Sequence, residues 1–105
     1  MRQVPFYAWE QDVGSGKNHV RLMQGYHRQI NGVSVYAARY AGVWRVYDED
    51  SGRWMVEEKA MKVAIKTAES YIAYWDARGA FTTAQHKDCC RDFLKLRKEA
   101  TNGLL

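Results

Sequence analysis

Apolar and polar residues alternate with a period of two through most of the chain up to Glu57, and recur at helical spacing after it, which predicts a sheet followed by helices. The clearest stretch runs from Tyr26 to Glu57. There Asn31-Gly32 separates Tyr26-His27-Arg28-Gln29-Ile30 from Val33-Ser34-Val35-Tyr36-Ala37, and Asn-Gly is the strongest short-range signal for a two-residue hairpin. Ile30 is then expected opposite Val33. A second turn, Ala41-Gly42, places Tyr40 opposite Val43, Ala38 opposite Arg45 and Tyr36 opposite Tyr47. Asp48-Glu49-Asp50-Ser51-Gly52 reverses the chain again through Asx and Ser side chains that bond their own backbone. Pairing Tyr47 with Arg53 sets Val46 against Trp54 and Trp44 against Val56.

Because strand side chains alternate between faces, these pairings divide the residues into two sets. Val33, Val35, Ala37, Trp44, Val46, Trp54 and Val56 are expected on a core face. Tyr36, Tyr40, Arg45, Tyr47, Arg53 and Met55 are expected on the other, where rings mixed with guanidinium groups replace the short polar residues of an idle solvent face. Upstream, Val4 to Trp9 reads as a short strand that Pro5 confines to an edge. Gln11 to Asn18 reads as a loop, and His19 to Gln24 as a further strand before Gly25.

Past Glu57, Met61, Ala64, Ile65, Ala68, Ile72 and Trp75 form an amphipathic stripe, predicting a helix over about residues 58–78 that packs on the Val/Trp face and ends at Gly79. An alternative carries a strand through Met61 to Ile65 and starts a shorter helix at Thr67. Thr82 and Gln85 have capping-box spacing before a second helix over about 83–101, whose buried stripe is Cys89, Phe93, Leu96 and Ala100. Asn102-Gly103-Leu104 supplies its stop. The expected fold is α+β: an antiparallel β-meander of three to five strands over about residues 19–57, then two α-helices, the first packed on one sheet face, all in a single domain spanning residues 1–105.

Composition narrows the chemistry. The formal net charge of +4 favours polyanionic or acidic partners. No apolar run reaches the roughly 20 residues of a membrane span, and the N-terminal residues lack the apolar run of a signal peptide, so a cytoplasmic protein without a membrane partner is expected. Cys89 and Cys90 are adjacent in a helical pattern, diverge by about 100°, and are expected as reduced thiols. His86 and Cys90, at i and i+4, can point at one ion. Structural zinc sites usually show two paired-ligand clusters, however, so no metal and no cofactor is expected. Gly16-Lys17 lacks the upstream glycine and following Ser or Thr of a phosphate-binding loop. With no Gly-x-Ser-x-Gly, His-Glu-x-x-His or Cys-His nucleophile pattern, an enzyme is not expected.

Trp44-Arg45-Val46 through Gly52-Arg53-Trp54, then Thr67-Ala68-Glu69 before helical Tyr71 to Trp75, resemble in order the plant AP2-type and phage integrase amino-terminal DNA-binding domains, a three-stranded sheet backed by a helix. The glycine and phenylalanine that usually precede that helix are missing. Tyr36, Tyr40, Arg45, Tyr47 and Arg53 are therefore candidates for nucleic-acid binding, with rings for stacking and guanidinium groups for phosphates. Lys87, Arg91, Lys95 and Lys98 make a basic stripe on the last helix that can assist. A small nucleic-acid-binding protein, favouring duplex DNA, is the expected function. The alternative is a non-enzymatic protein-interaction module, such as a small inhibitor or adaptor, presenting the same face to an acidic protein partner.

Overall fold

A computed structural model describes residues 2–102. Five strands run β1 (Val4–Gln11), β2 (Asn18–Ile30), β3 (Val33–Tyr40), β4 (Val43–Asp48) and β5 (Trp54–Glu58), followed by helix α1 (Met61–Asp76), a short 3-10 turn (Ala80–Thr82) and helix α2 (Ala84–Asn102). The strands form one antiparallel meander in the order β1-β2-β3-β4-β5. Both two-residue hairpins form, with Asn31 at φ 48° and Ala41 at φ 49° in the left-handed region that such turns require. Ile30 pairs with Val33, Tyr40 with Val43, Ala38 with Arg45 and Tyr36 with Tyr47, as the turn positions predict.

The fourth hairpin departs from the expected register. Val46 pairs with Val56 but Tyr47 pairs with Trp54, so one residue, Met55, is extra on β5. Asp48 and Arg53 close the loop instead, through a 2.8 Å bond from the Asp48 N–H to the Arg53 carbonyl. A one-residue bulge reverses the side chains on one side of it. Trp54, expected in the core, therefore shares a face with Tyr47, while Met55, expected opposite, packs against the core.

Helix α1 seals the first face. Val35, Ala37, Val46 and Val56 meet Ala64, Ala68 and Ile72, with Ile30 at the edge, in one buried cluster. Alanines at the contact let the helix approach the sheet closely. It begins at Met61, three residues later than expected, because Glu57 and Glu58 remain in β5 opposite Arg45 and Trp44. This start also excludes a strand through Met61 to Ile65. Gly79, at φ 71°, turns the chain after the helix as predicted.

The second face is covered by the chain's own beginning. Strand β2 pairs with β1 along its first half and with β3 only from Tyr26 onward. At the changeover stands Gly25, where a Cβ would lie 2.8 Å from the Ala37 carbonyl oxygen and 2.8 Å from the Phe6 ring. Glycine permits that approach, and the β1–β2 ribbon bends over β3 and β4. Phe6, Ala8, Ala38 and Tyr47 then form a second buried cluster, the Phe6 ring stacked on Tyr36 at 4.4 Å. The Trp9 N–H donates to the Gly52 carbonyl at 2.8 Å, tying β1 to the β4–β5 loop.

Helix α2 buries only Phe93 completely, with Cys89, Leu96 and Ala100 half-buried on the same side. Its cap is Thr83, whose hydroxyl accepts the His86 N–H at 3.1 Å, one residue later than the expected Thr82, which sits in the 3-10 turn. The expected stop at Gly103-Leu104 lies outside the described residues. Among the described residues, no helix is long and apolar enough to cross a membrane.

Candidate functional site

Bending the ribbon at Gly25 covers half of the Tyr/Arg face and leaves the other half as the wall of a recess. Between the ribbon and strands β3 to β5 lies a pocket of about 360 Å³, lined by Trp9, Arg21, Tyr40, Arg45, Arg53 and Trp54 with Tyr47 and Met23 deeper. Two stacks organise it. The Arg45 guanidinium carbon lies 4.4 Å from the Tyr40 ring centre and 4.4 Å from that of Trp54, so the group is held between two rings. The Arg53 guanidinium lies 4.1 Å over Trp9, joining β1 to the β4–β5 loop across the mouth. The bulge at Met55 is what delivers Trp54 to this wall.

Electrostatics distinguish the three arginines. Arg21 is held by Glu10, with Nη2 2.7 Å from Oε1, and this hydrogen bond keeps the Glu10 carboxyl below the usual glutamate range. Arg45 donates from Nε to Glu57 Oε1 at 3.0 Å. Burial alone would lower its pKa, but hydrogen bonds to Tyr47 and Glu57 outweigh that and raise it, so Arg45 stays charged. Burial pushes the Tyr47 hydroxyl above its ordinary value, with Arg45 opposing. Arg53 is exposed, and among the described residues it has no carboxylate within ion-pair distance. Aromatic stacking leaves the edge donors of a guanidinium available, so Arg53 is the cation best placed to meet an incoming anion.

The structure thus brings together Tyr40, Arg45, Tyr47 and Arg53 from the sequence-predicted set. Tyr47 is a correction in role: at 3% exposure it is part of the second core, because Phe6 and Ala8 close over it. Tyr36 lies outside the pocket, its ring under Phe6 and its hydroxyl donating to Glu49 at 3.1 Å. Lys87, Arg91, Lys95 and Lys98 are all exposed on α2, and none lines the pocket. Arg91, Lys95 and Lys98 border a separate groove with Leu94 and Glu99, so the stripe is a second basic surface and not an extension of the first. Sequence reasoning missed Trp9, Arg21 and Trp54. Trp9 and Arg21 arrive by the ribbon's bend, for which Gly25 is the one local sign, and Trp54 by a bulge that has none.

Cys89 and Cys90 are unpaired thiols. Burial pushes the Cys90 thiol up to about 11, and the charges of Asp48 and Asp50 add to this, so it is no nucleophile at neutral pH.

Comparison of the chain with protein-family models, curated proteins and solved structures gives no match. The likeness to the AP2-type and integrase domains is accordingly one of strand and helix order alone, and function has to be argued from the pocket.

Proposed function

We propose that this chain is a small nucleic-acid-binding protein that receives unstacked bases at the Trp9–Tyr40–Trp54 pocket while its arginines meet the backbone. One observation carries the reading: two arginine–aromatic stacks, Tyr40–Arg45–Trp54 and Arg53–Trp9, frame a single open recess. An entering base stacks on a guanidinium plane or displaces it from its ring, stacking being worth about 1–3 kcal/mol per base, and guanidinium edges pair with phosphates. The duplex preference expected for a flat Tyr/Arg face shifts to single strands here, because a recess of about 360 Å³ beneath a folded ribbon admits a splayed base more easily than a groove wall. The α2 stripe remains the surface available to a duplex backbone.

The test is fluorescence anisotropy with a labelled oligothymidylate and a duplex of equal length, beginning at about 50 mM salt, where phosphate contacts are strongest. The single strand should bind more tightly, with a logarithmic salt slope of about −0.7 per phosphate contact. Arg53→Ala should shallow that slope by one contact. Trp54→Ala should weaken binding by about tenfold without changing the slope, as loss of a stack predicts. No affinity for either oligonucleotide at low salt overturns the proposal, and loss of binding only on mutating Lys87, Arg91, Lys95 and Lys98 together moves it to α2.

A second reading, a protein-interaction module, is favoured by a different surface. Helix α1 leaves Val63, Tyr71, Tyr74 and Trp75 exposed, Trp75 against the expectation that it belongs to the buried stripe, and the Tyr74 and Trp75 rings meet edge-on at 5.1 Å. A partner held there binds with little salt dependence, which separates the two readings.

A further inference from the structure

Outside the aromatic pocket, three side chains of different ligand chemistry converge. Asp48 ends β4, while His86 and Cys90 stand one turn apart on the inward side of α2. His86 Nε2 lies 3.4 Å from Cys90 Sγ and 3.9 Å from Asp48 Oδ2, and one ligand atom from each residue falls within 4.8 Å of the others. A ring nitrogen carries one proton or one lone pair. A hydrogen bond can therefore satisfy one of its two neighbours, whereas an ion at the common point satisfies both.

The distances suit such an ion. With bond lengths of about 2.0–2.3 Å, a tetrahedral zinc centre has N-to-S edges of about 3.6 Å and N-to-O edges of about 3.4 Å. The first edge is already met within a few tenths of an ångström. The second closes with a shift of about half an ångström, and the Asp48-to-Cys90 edge, which lies within 4.8 Å, has to reach about 3.5 Å, so the two ligands must draw together by rotation as the ion binds.

Surrounding groups hold the ligands in place. Asp48 is 5% exposed, and its Oδ2 accepts hydrogen bonds from the Ser51 N–H at 3.1 Å and the Ser51 hydroxyl at 2.6 Å. The Phe81 ring stands edge-on to the His86 imidazole, with centroids 5.5 Å apart, and limits its rotation. Outer contacts of this kind orient ligands and tune affinity. On one side Asp48 and His86 border an open polar pocket of about 320 Å³ that also carries Asp50 and Asp76.

We infer that Asp48, His86 and Cys90 hold a borderline divalent transition-metal ion, zinc foremost, with a fourth position open to water from that pocket. Cys90, a thiol in the free protein, releases its proton to solvent as the ion binds, and one thiolate, one imidazole and one carboxylate are a donor set for zinc or cobalt rather than for calcium or magnesium, which take oxygen ligands. His86 and Cys90 alone made a poor pair in the sequence, because the third ligand lies far upstream in a stretch that reads as a turn.

Titration of the chelator-treated full chain with Co²⁺, followed by absorption, tests the assignment. A single equivalent should give tetrahedral cobalt bands with a thiolate charge-transfer band, zinc should displace them, and zinc should raise the melting temperature. Cys90→Ser and His86→Gln should each weaken binding by more than about a hundredfold, beyond the effect of losing an outer contact. Cys89→Ser should bind like the wild type. Asp48→Asn should weaken binding too, and His86→Gln, at a half-buried helix position, keeps the test decisive if Asp48→Asn fails to fold. Absence of a charge-transfer band overturns the inference. Equal binding by Cys90→Ser, or cobalt spectra that survive both His86→Gln and Asp48→Asn, overturns it as well.

Discussion

The two faces of the meander start from the same alternation and are closed by different means. On one, α1 brings Ala64, Ala68 and Ile72 against Val35, Ala37 and Val46, and all six are at most 1% exposed. On the other, the β1–β2 ribbon brings Phe6 and Ala8 over Ala38 and Tyr47 and stops there, leaving Tyr40, Arg45 and Trp54 around a recess. A helix with small residues at the contact settles across strands β2 to β5. A ribbon bent at one glycine covers only what its hinge allows, and the uncovered remainder keeps its rings and cations accessible.

The largest expected effect breaks or confirms this division directly. Tyr47→Ala should cost about 3–5 kcal/mol in urea unfolding, as a large-to-small change at a closed site, while Trp54→Ala should cost about 1–2 kcal/mol. Equal losses would falsify the division of this face into a closed half and an open one. Next comes the hinge. Gly25→Ala sets a methyl group against the Ala37 carbonyl and the Phe6 ring, and overpacking of that kind costs about 1–3 kcal/mol. Its near-ultraviolet circular dichroism should lose the Phe6–Tyr36–Tyr47 signature more than Ala68→Gly does; an unchanged spectrum and stability mean that the ribbon does not bend there under load.

The smallest effect lies at the rim, in acid. Glu10 is held below its ordinary range by the Arg21 hydrogen bond, with His19 adding to it, so in that window the unfolded chain binds more protons than the folded one. This contribution is complete above the usual glutamate range and is lost as pH falls through the lowered value. Because the pair is near the surface, it should amount to no more than about 0.5 kcal/mol. Glu10→Gln should lower the urea midpoint slightly at neutral pH and flatten its acid dependence, so that variant and wild type converge as pH falls through the lowered value; a difference that is absent at neutral pH and grows in acid contradicts the assignment.

Features set by neighbouring residues were legible in the sequence. Asn31-Gly32 and Ala41-Gly42 dictate the β2–β3–β4 register through turn geometry, and the Ala64–Ala68–Ile72 spacing dictates which side of α1 is buried. What escaped depends on contacts between distant positions. The Met55 bulge is settled by how Asp48, Ser51 and Arg53 close their loop, and it moved Trp54 from core to pocket. The covering of Tyr36 and Tyr47 depends on where the ribbon lands, and strand alternation within β1 and β2 carries no information about that. Half of the candidate site, Tyr40, Arg45 and Arg53, was therefore visible, and Trp9, Arg21 and Trp54 were not.

Gly52 is where these separate closures touch. Its carbonyl receives the Trp9 N–H, its neighbours are Ser51 and Arg53, and the Phe93 ring of α2 occupies the space in which a Cβ would stand. At φ 70° the backbone itself also disfavours any side chain. Position 52 and position 93 are therefore one inherited unit, a socket and the ring that fills it. A descendant of this chain that gains a side chain at the first must give up the ring at the second, and its last helix then loses its hold on the loop that carries Arg53.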